Sequence, residues 1–120
     1  MTVRNASAGV AATDLRVSKD WYQKLFGREP DTNSTGELFQ WALPTGEWIR
    51  LFTSKSLAGS SSVTLVENDF GKRLADLRTA RYDIKKLVDS DSIKVAIIED
   101  PDGNEVAFVQ RKVIVRDTVA

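Results

Sequence analysis

Oxygen-bearing side chains are the metal-ligating groups left in this chain. Its 120 residues include no histidine and no cysteine. There is thus no imidazole for general base work or metal ligation. Serine–histidine and cysteine–histidine catalysis are excluded, and so are zinc sites built on His or Cys. A metal site would have to be all-oxygen. The densest acidic stretch is Glu99-Asp100-Pro101-Asp102-Gly103-Asn104-Glu105. Pro101 sets φ for the first central position of a turn, and Asp102, Gly103 and Asn104 tolerate turn and left-handed geometry. Ile93–Ile98 before the turn and Val106–Val109 after it are short apolar runs rich in β-branched residues. The stretch reads as the tight turn of a β-hairpin, and carries no chemistry itself.

The 17 basic and 17 acidic residues cancel, so nothing draws the chain to nucleic acid or to an anionic membrane. No apolar run approaches the roughly 20 residues of a membrane span. MTVRNASAGV has no signal-peptide core, and without cysteine there is no disulfide framework. The expectation is a cytoplasmic protein. A chain of this length makes one domain and buries about two-thirds of its unfolded surface.

The elements that must position any site follow from periodicity. Val3–Ala12 is small and extended in character, a strand. Thr13 or Asp14 then caps a helix in which Val17, Trp21, Tyr22, Leu25 and Phe26 recur at helical spacing, and Gly27 ends it. Residues 28–36 are a polar loop. Glu37–Leu43 and Glu47–Phe52 are strands joined at Pro44-Thr45-Gly46. Lys55–Ser60, rich in serine and with a glycine, is an internal linker. Ser61–Glu67 is again a strand, and Asn68 or Asp69 caps a second helix carrying Phe70, Leu74 and Leu77 on one face. Tyr82–Leu87, Ile93–Ile98 and Glu105–Gln110 complete the chain as strands, with Arg111–Val115 extending the last.

The second half repeats the first. Asp14 corresponds to Asp69 and Ser7 to Ser62, each pair 55 residues apart. Each aspartate follows its serine by seven and opens a helix. An internal duplication of this kind decides the fold. The module boundaries are about 3–54 and 61–111, with the linker at 55–60 and a C-terminal extension at 112–120.

With the duplication in hand, the chain resembles the vicinal oxygen chelate superfamily, which includes glyoxalase I, bleomycin-resistance proteins and extradiol dioxygenases. The matching residues are Asp14-Leu15 followed by Trp21-Tyr22-Gln23-Lys24-Leu25-Phe26-Gly27, and Asp100-Pro101-Asp102-Gly103-Asn104 before the last strand. The resemblance runs from about Val3 to Gln110. It implies an α+β fold: two tandem βαβββ modules forming curled mixed sheets around a cavity, with the helices outside. It also implies a homodimer. Family enzymes hold a divalent metal at four strand positions, which fall here on Ser7, Arg50, Ser62 and Ala107. The family expects His, Glu or Gln there. Two hydroxyls, a guanidinium and a methyl cannot replace them, because Arg has no acceptor and hydroxyls are poor neutral ligands. The expectation is a member with no metal and no cofactor.

Alternation along strands then defines an inner face. It carries Ser7, Gly9 and Ala11; Trp48, Arg50 and Phe52; Ser62 and Thr64; and Glu105, Ala107 and Val109, with Trp41 as a further wall. Ile49, Leu51, Val63, Leu65, Val106 and Phe108 pack under the helices. Trp48 and Phe52 read as plain core or as ligand platforms, and Ser7 and Ser62 as small fillers or as ligand contacts. A buried Arg50 needs a partner, either Glu105 or an anionic or aromatic small molecule. Three functions are compatible. One is a metal-independent small-molecule-binding protein of the glyoxalase/bleomycin-resistance type. Another is a metal-free lyase or isomerase with Glu105 as base and Arg50 stabilising an enolate. The third is a ligand-free dimerisation module.

Overall fold

The computed structural model describes residues 2–3, 6–34 and 36–112. The duplication is visible in its elements. The strand β1 (Ser7–Ala12) leads into the helix α1 (Leu15–Phe26), followed by β2 (Thr32–Ser34), β3 (Leu38–Ala42) and β4 (Trp48–Thr53). The second module runs β5 (Ser62–Val66), α2 (Phe70–Thr79), β6 (Lys86–Asp89), β7 (Ile93–Glu99) and β8 (Glu105–Arg111). Ser7 and Ser62 open the first strand of each module, and Asp14 and Asp69 are the helix caps. Each module makes a four-stranded sheet in the same order, β1-β4-β3-β2 and β5-β8-β7-β6. This is the α+β, two-module, mixed-sheet architecture expected from the repeat.

By compactness the chain forms two units. The first holds the described residues up to Val63 together with Asp100–Glu105, and the second holds Thr64–Glu99 and the described residues from Val106 onward.

In the first unit, the Asp14 carboxylate accepts from the backbone N–H groups of Arg16 and Val17 at 3.1 and 3.2 Å. That satisfies donors a helix start leaves orphaned. Gly27 closes the helix at φ 74, a left-handed cap that glycine takes without a Cβ penalty. The buried stripe of α1 is Ser18, Tyr22 and Leu25, while Val17, expected on that face, is 46 % exposed. β1 pairs in parallel with β4, and β3 antiparallel with β4. In the second unit, the Asp69 carboxylate caps α2 through Lys72 N at 3.1 Å. Phe70 and Leu77 are its buried residues. The guanidinium of Arg73 lies over the Phe108 ring of β8 and pairs with Glu67 at 2.6 Å. Among the described residues, no helix is long and apolar enough to cross a membrane.

Beyond shifts of a single residue, the elements differ from the sequence reading in four places. The polar segment 28–36 contains the strand β2, paired antiparallel with β3. Polar composition hid it, but Asp31 anchors it: Arg28 Nη1 reaches both Asp31 oxygens at 2.9 Å, and Asp31 Oδ2 accepts from Ala42 N at 2.7 Å. Arg28 holds the Asp31 carboxyl below the ordinary carboxylate range. The strand expected at Tyr82–Leu87 starts only at Lys86. The first strand starts at Ser7, and Arg4 and Asn5 lie outside the described residues. The last strand ends at Arg111; its expected continuation to Val115, and the extension beyond Lys112, lie outside them too.

Candidate functional site

The side-chain parity expected from alternation is observed. Ile49, Leu51, Val63, Val106 and Phe108 are all buried to 3 % exposure or less, and Leu65 is half-buried. The opposite parity is more exposed in β4, β5 and β8 but not in β1, where Ala11, expected on this face, is as fully buried as Val10 and Ala12. In β4, Trp48 and Phe52 are half-buried and Arg50 is exposed. Register extends this face across the first sheet: Arg50 stands opposite Gly9 of β1 and Gln40 of β3, with Gln40 opposite Thr32 of β2. Ser7 stands opposite Trp48, and Leu38 opposite Phe52. Gln40 Nε2 donates to Thr32 Oγ1 at 3.1 Å. The guanidinium carbon of Arg50 sits 5.5 Å from the centroid of the Phe52 ring, within cation–π range.

The first sheet thus brings together four of the residues singled out from sequence: Ser7, Trp48, Arg50 and Phe52. It adds Gln40 and Thr32, which the sequence does not single out: segment 28–36 is polar throughout, and β3 is apolar at nearly every position, so its two faces look alike. Ser62 and Thr64 are exposed on β5, and Glu105 is exposed at the start of β8, in the other sheet.

Two site expectations are corrected. Trp41 is not on the open face. It stands opposite Ile49, shares its parity, and is 1 % exposed. Its ring packs 5.4 Å from Phe26 and 6.3 Å from Tyr22, and its Nε1 donates to Arg28 O at 3.1 Å. The large apolar ring goes to the helix side because α1 offers it partners there. Arg50 is not buried, and no ion pair joins it to Glu105 or to any other acid among the described residues. The premise that it must be neutralised within the fold therefore falls.

The acidic turn is the most densely bonded part of the first unit. Asp100 is 6 % exposed and Asn104 is fully buried. Asp100 Oδ1 accepts from Asp102 N and Asn104 N, both at 2.9 Å. Its Oδ2 accepts from Tyr22 OH at 2.7 Å and from Asn104 Nδ2 at 2.8 Å. Asn104 Nδ2 also donates to Ala11 O, and Asn104 Oδ1 accepts from Gly59 N and Ser61 N, all at 2.9 Å. Asp102 accepts from the Thr13 hydroxyl at 2.6 Å. The 55–60 connector is thereby pinned. At Gly59, φ is 92 and a Cβ would fall 2.8 Å from Asp102 O, so only glycine fits. Asp100 and Asp102 are spent on backbone N–H groups, hydroxyls and the Asn104 amide, so the turn is a clamp.

Burial, reinforced by the Asp100 charge and hydrogen bond, pushes the Tyr22 hydroxyl well above its ordinary 10.0. A raised folded-state value means the folded protein keeps the proton where the unfolded chain loses it. The contribution is complete below pH 10 and is lost as pH rises above it, by about 1.4 kcal/mol per unit for one proton. Tyr22→Phe has no such proton. The stability gap between wild type and Tyr22→Phe should therefore narrow by about 1.4 kcal/mol between about pH 9 and about pH 11. Urea midpoints at the two pH values measure it, and an unchanged gap would contradict the buried Tyr22–Asp100 contact.

The four positions where a metal would be held are an exposed Ser7 hydroxyl, the Arg50 cation, an exposed Ser62 hydroxyl and the Ala107 methyl. That set does not fit a divalent ion. Among the described residues, no three of His, Cys, Asp and Glu gather to hold one elsewhere.

Comparison with solved structures places the fold. A glyoxalase/bleomycin resistance protein from Catenulispora acidiphila superposes with a TM-score of 0.81 at 27 % identity, covering 88 % of this chain and 96 % of that one. TnmS3, an antibiotic-binding protein from a Streptomyces species, gives 0.80 at 20 % identity over 93 % and 99 %. A lactoylglutathione lyase from Agrobacterium tumefaciens gives 0.74 at 16 % identity over 88 % and 91 %. The chain has the vicinal oxygen chelate fold. No protein-family model and no curated protein matches the sequence.

Proposed function

We propose that the protein is a metal-independent small-molecule-binding protein of the glyoxalase/bleomycin-resistance type, and that the open face of its first sheet is the ligand floor. The observation that carries this reading is Arg50: an exposed cation without an acidic partner among the described residues, set along β4 between the half-buried rings of Trp48 and Phe52. Aromatic surface with one or two polar anchors is the usual make-up of a ligand site. Replacement of the family's metal ligands argues for binding without metal chemistry, and the antibiotic-binding neighbour has the same fold. Two clefts of about 400 and 550 Å³ beside α1 are open and lined by mixed charges such as Arg16, Lys19, Asp20 and Glu29. They lack that combination and are not the floor.

A thermal-shift panel of metabolites and drugs, with and without divalent metals, tests the reading. A ligand at 100 times its dissociation constant adds about 2.7 kcal/mol. The expected result is stabilisation by an organic compound, none by Zn²⁺, Ni²⁺, Mn²⁺ or Fe²⁺, and loss of the organic shift in Arg50→Met. Arg50 is exposed and makes no ion pair among the described residues, so that variant should keep its stability to within about 0.5 kcal/mol. A metal-dependent shift of similar size would overturn the proposal.

The same reading takes the protein as a homodimer. Val66, at the open end of β5, is 80 % exposed, and each sheet has two edge strands, which a second copy can cover. Light scattering should return twice the chain mass. A monomer at high micromolar concentration would contradict it.

A further inference from the structure

We infer that the floor selects a compact aryl monocarboxylate, and that Gly9 is the residue that positions Arg50 to do so. The inference rests on the binding reading above and adds the ligand class. A Cβ on Gly9 would lie 3.2 Å from Arg50 Nη2 and 3.2 Å from Phe52 Cε1. The guanidinium therefore lies across the bare backbone of β1, backed by Gly9 and edged by the Phe52 ring. Among the described residues, no hydrogen bond or ion pair engages its donors. A guanidinium is a rigid fork that matches a carboxylate bidentately.

Charge and shape narrow the class. Every other described residue on this face, read from the strand registers, is uncharged. One cation with no acid beside it suits a monoanion. A phosphate dianion would call for a second cation or a cluster of backbone N–H donors. Trp48 and Phe52 flank Arg50 on the same side of the strand, each roughly 7 Å along it. A ligand whose carboxylate meets the guanidinium can lay one planar ring on Trp48, and a benzoate-sized body spans that distance.

Gly9 then acts through Arg50. A methyl at position 9 requires the guanidinium and the Phe52 ring to give by a few tenths of an ångström, because a contact of 3.2 Å is tighter than nine in ten real Cβ contacts. The charge survives and the fork is misaimed.

Isothermal titration with sodium benzoate, benzamide and inorganic phosphate tests this on wild type, Gly9→Ala, Arg50→Lys, Arg50→Met and the Gly9→Ala/Arg50→Met double variant. Urea midpoints are taken alongside. Benzoate should bind at least about tenfold more tightly than benzamide or phosphate, and Arg50→Met should lose at least about tenfold of that affinity. Arg50→Lys, which keeps charge without the fork, should lose most of it. Gly9→Ala should weaken benzoate binding several-fold with Arg50 present and not at all in the Arg50→Met background. Should Gly9→Ala fail to fold, the Arg50→Lys and benzamide comparisons decide. Equal binding of benzoate and benzamide, tighter phosphate binding, or a Gly9→Ala loss that persists without Arg50 would each overturn the inference. A neutral or cationic compound that binds and is lost on Trp48→Ala would overturn it while leaving the binding reading intact. Absence of any binder would sink both.

Discussion

Asn104→Ala should lose about 3–5 kcal/mol of stability, one of the largest effects of any single polar substitution in this chain. The side chain is fully buried and uses all its capacity in four bonds at 2.8–2.9 Å. Truncation orphans the N–H groups of Gly59 and Ser61, the carbonyl of Ala11 and one donor to Asp100. Each buried group left without a partner costs about 1–3 kcal/mol, and water entering the vacated space recovers part of the sum. The neighbouring Glu105→Ala is the control: Glu105 is exposed and outside any ion pair among the described residues, so it should change stability by no more than about 0.5 kcal/mol. Urea midpoints compare the two. An Asn104→Ala protein within about 1 kcal/mol of wild type would show that the turn does not clamp β1 and the 55–60 connector.

The second large effect separates two tryptophans that look alike in sequence. Trp41→Ala should cost about 3–5 kcal/mol, the range for emptying a large aromatic from a core. Its ring fills the space between Tyr22 and Phe26, and its Nε1 satisfies Arg28 O. Trp48 is half-buried on the open face, and Trp48→Ala should cost less than about 1.5 kcal/mol while removing ligand binding. The pair of variants, read by denaturation and by ligand titration, should show opposite profiles. If Trp41→Ala kept its stability and lost ligand, the assignment of faces in β3 would be wrong.

That contrast marks where local pattern stops being informative. The buried parity of β4, β5 and β8 was legible because each strand alternates cleanly and has a reference position from the repeat. The strand β3, Leu38-Phe39-Gln40-Trp41-Ala42, gives an apolar residue at nearly every position, so its two faces look equal. Only its pairing with β4, Trp41 opposite Ile49, settles which side each ring takes. The strand β2 was missed for a related reason. Its residues are polar, and what makes it a strand is a neighbour's hydrogen bonds together with the Arg28–Asp31 anchor.

By itself the sequence determined the two-module fold, the helix starts at Asp14 and Asp69 and the glycine stop at Gly27. These are local matters: a cap, a turn, a periodicity or a residue type acts within a few positions, and the repeat doubles each signal. The tertiary structure decided which groups meet across the chain. It made the acidic hairpin turn a clamp as well, because Asp100 finds Tyr22 and Asn104 finds Ala11, Gly59 and Ser61, up to 93 residues away. It also left Arg50 exposed, with no acid beside it among the described residues, laid across a glycine of the neighbouring strand. Neither fact can be read from composition or spacing, since a partner that is distant in sequence is chosen by the register of sheets and not by the residues flanking it.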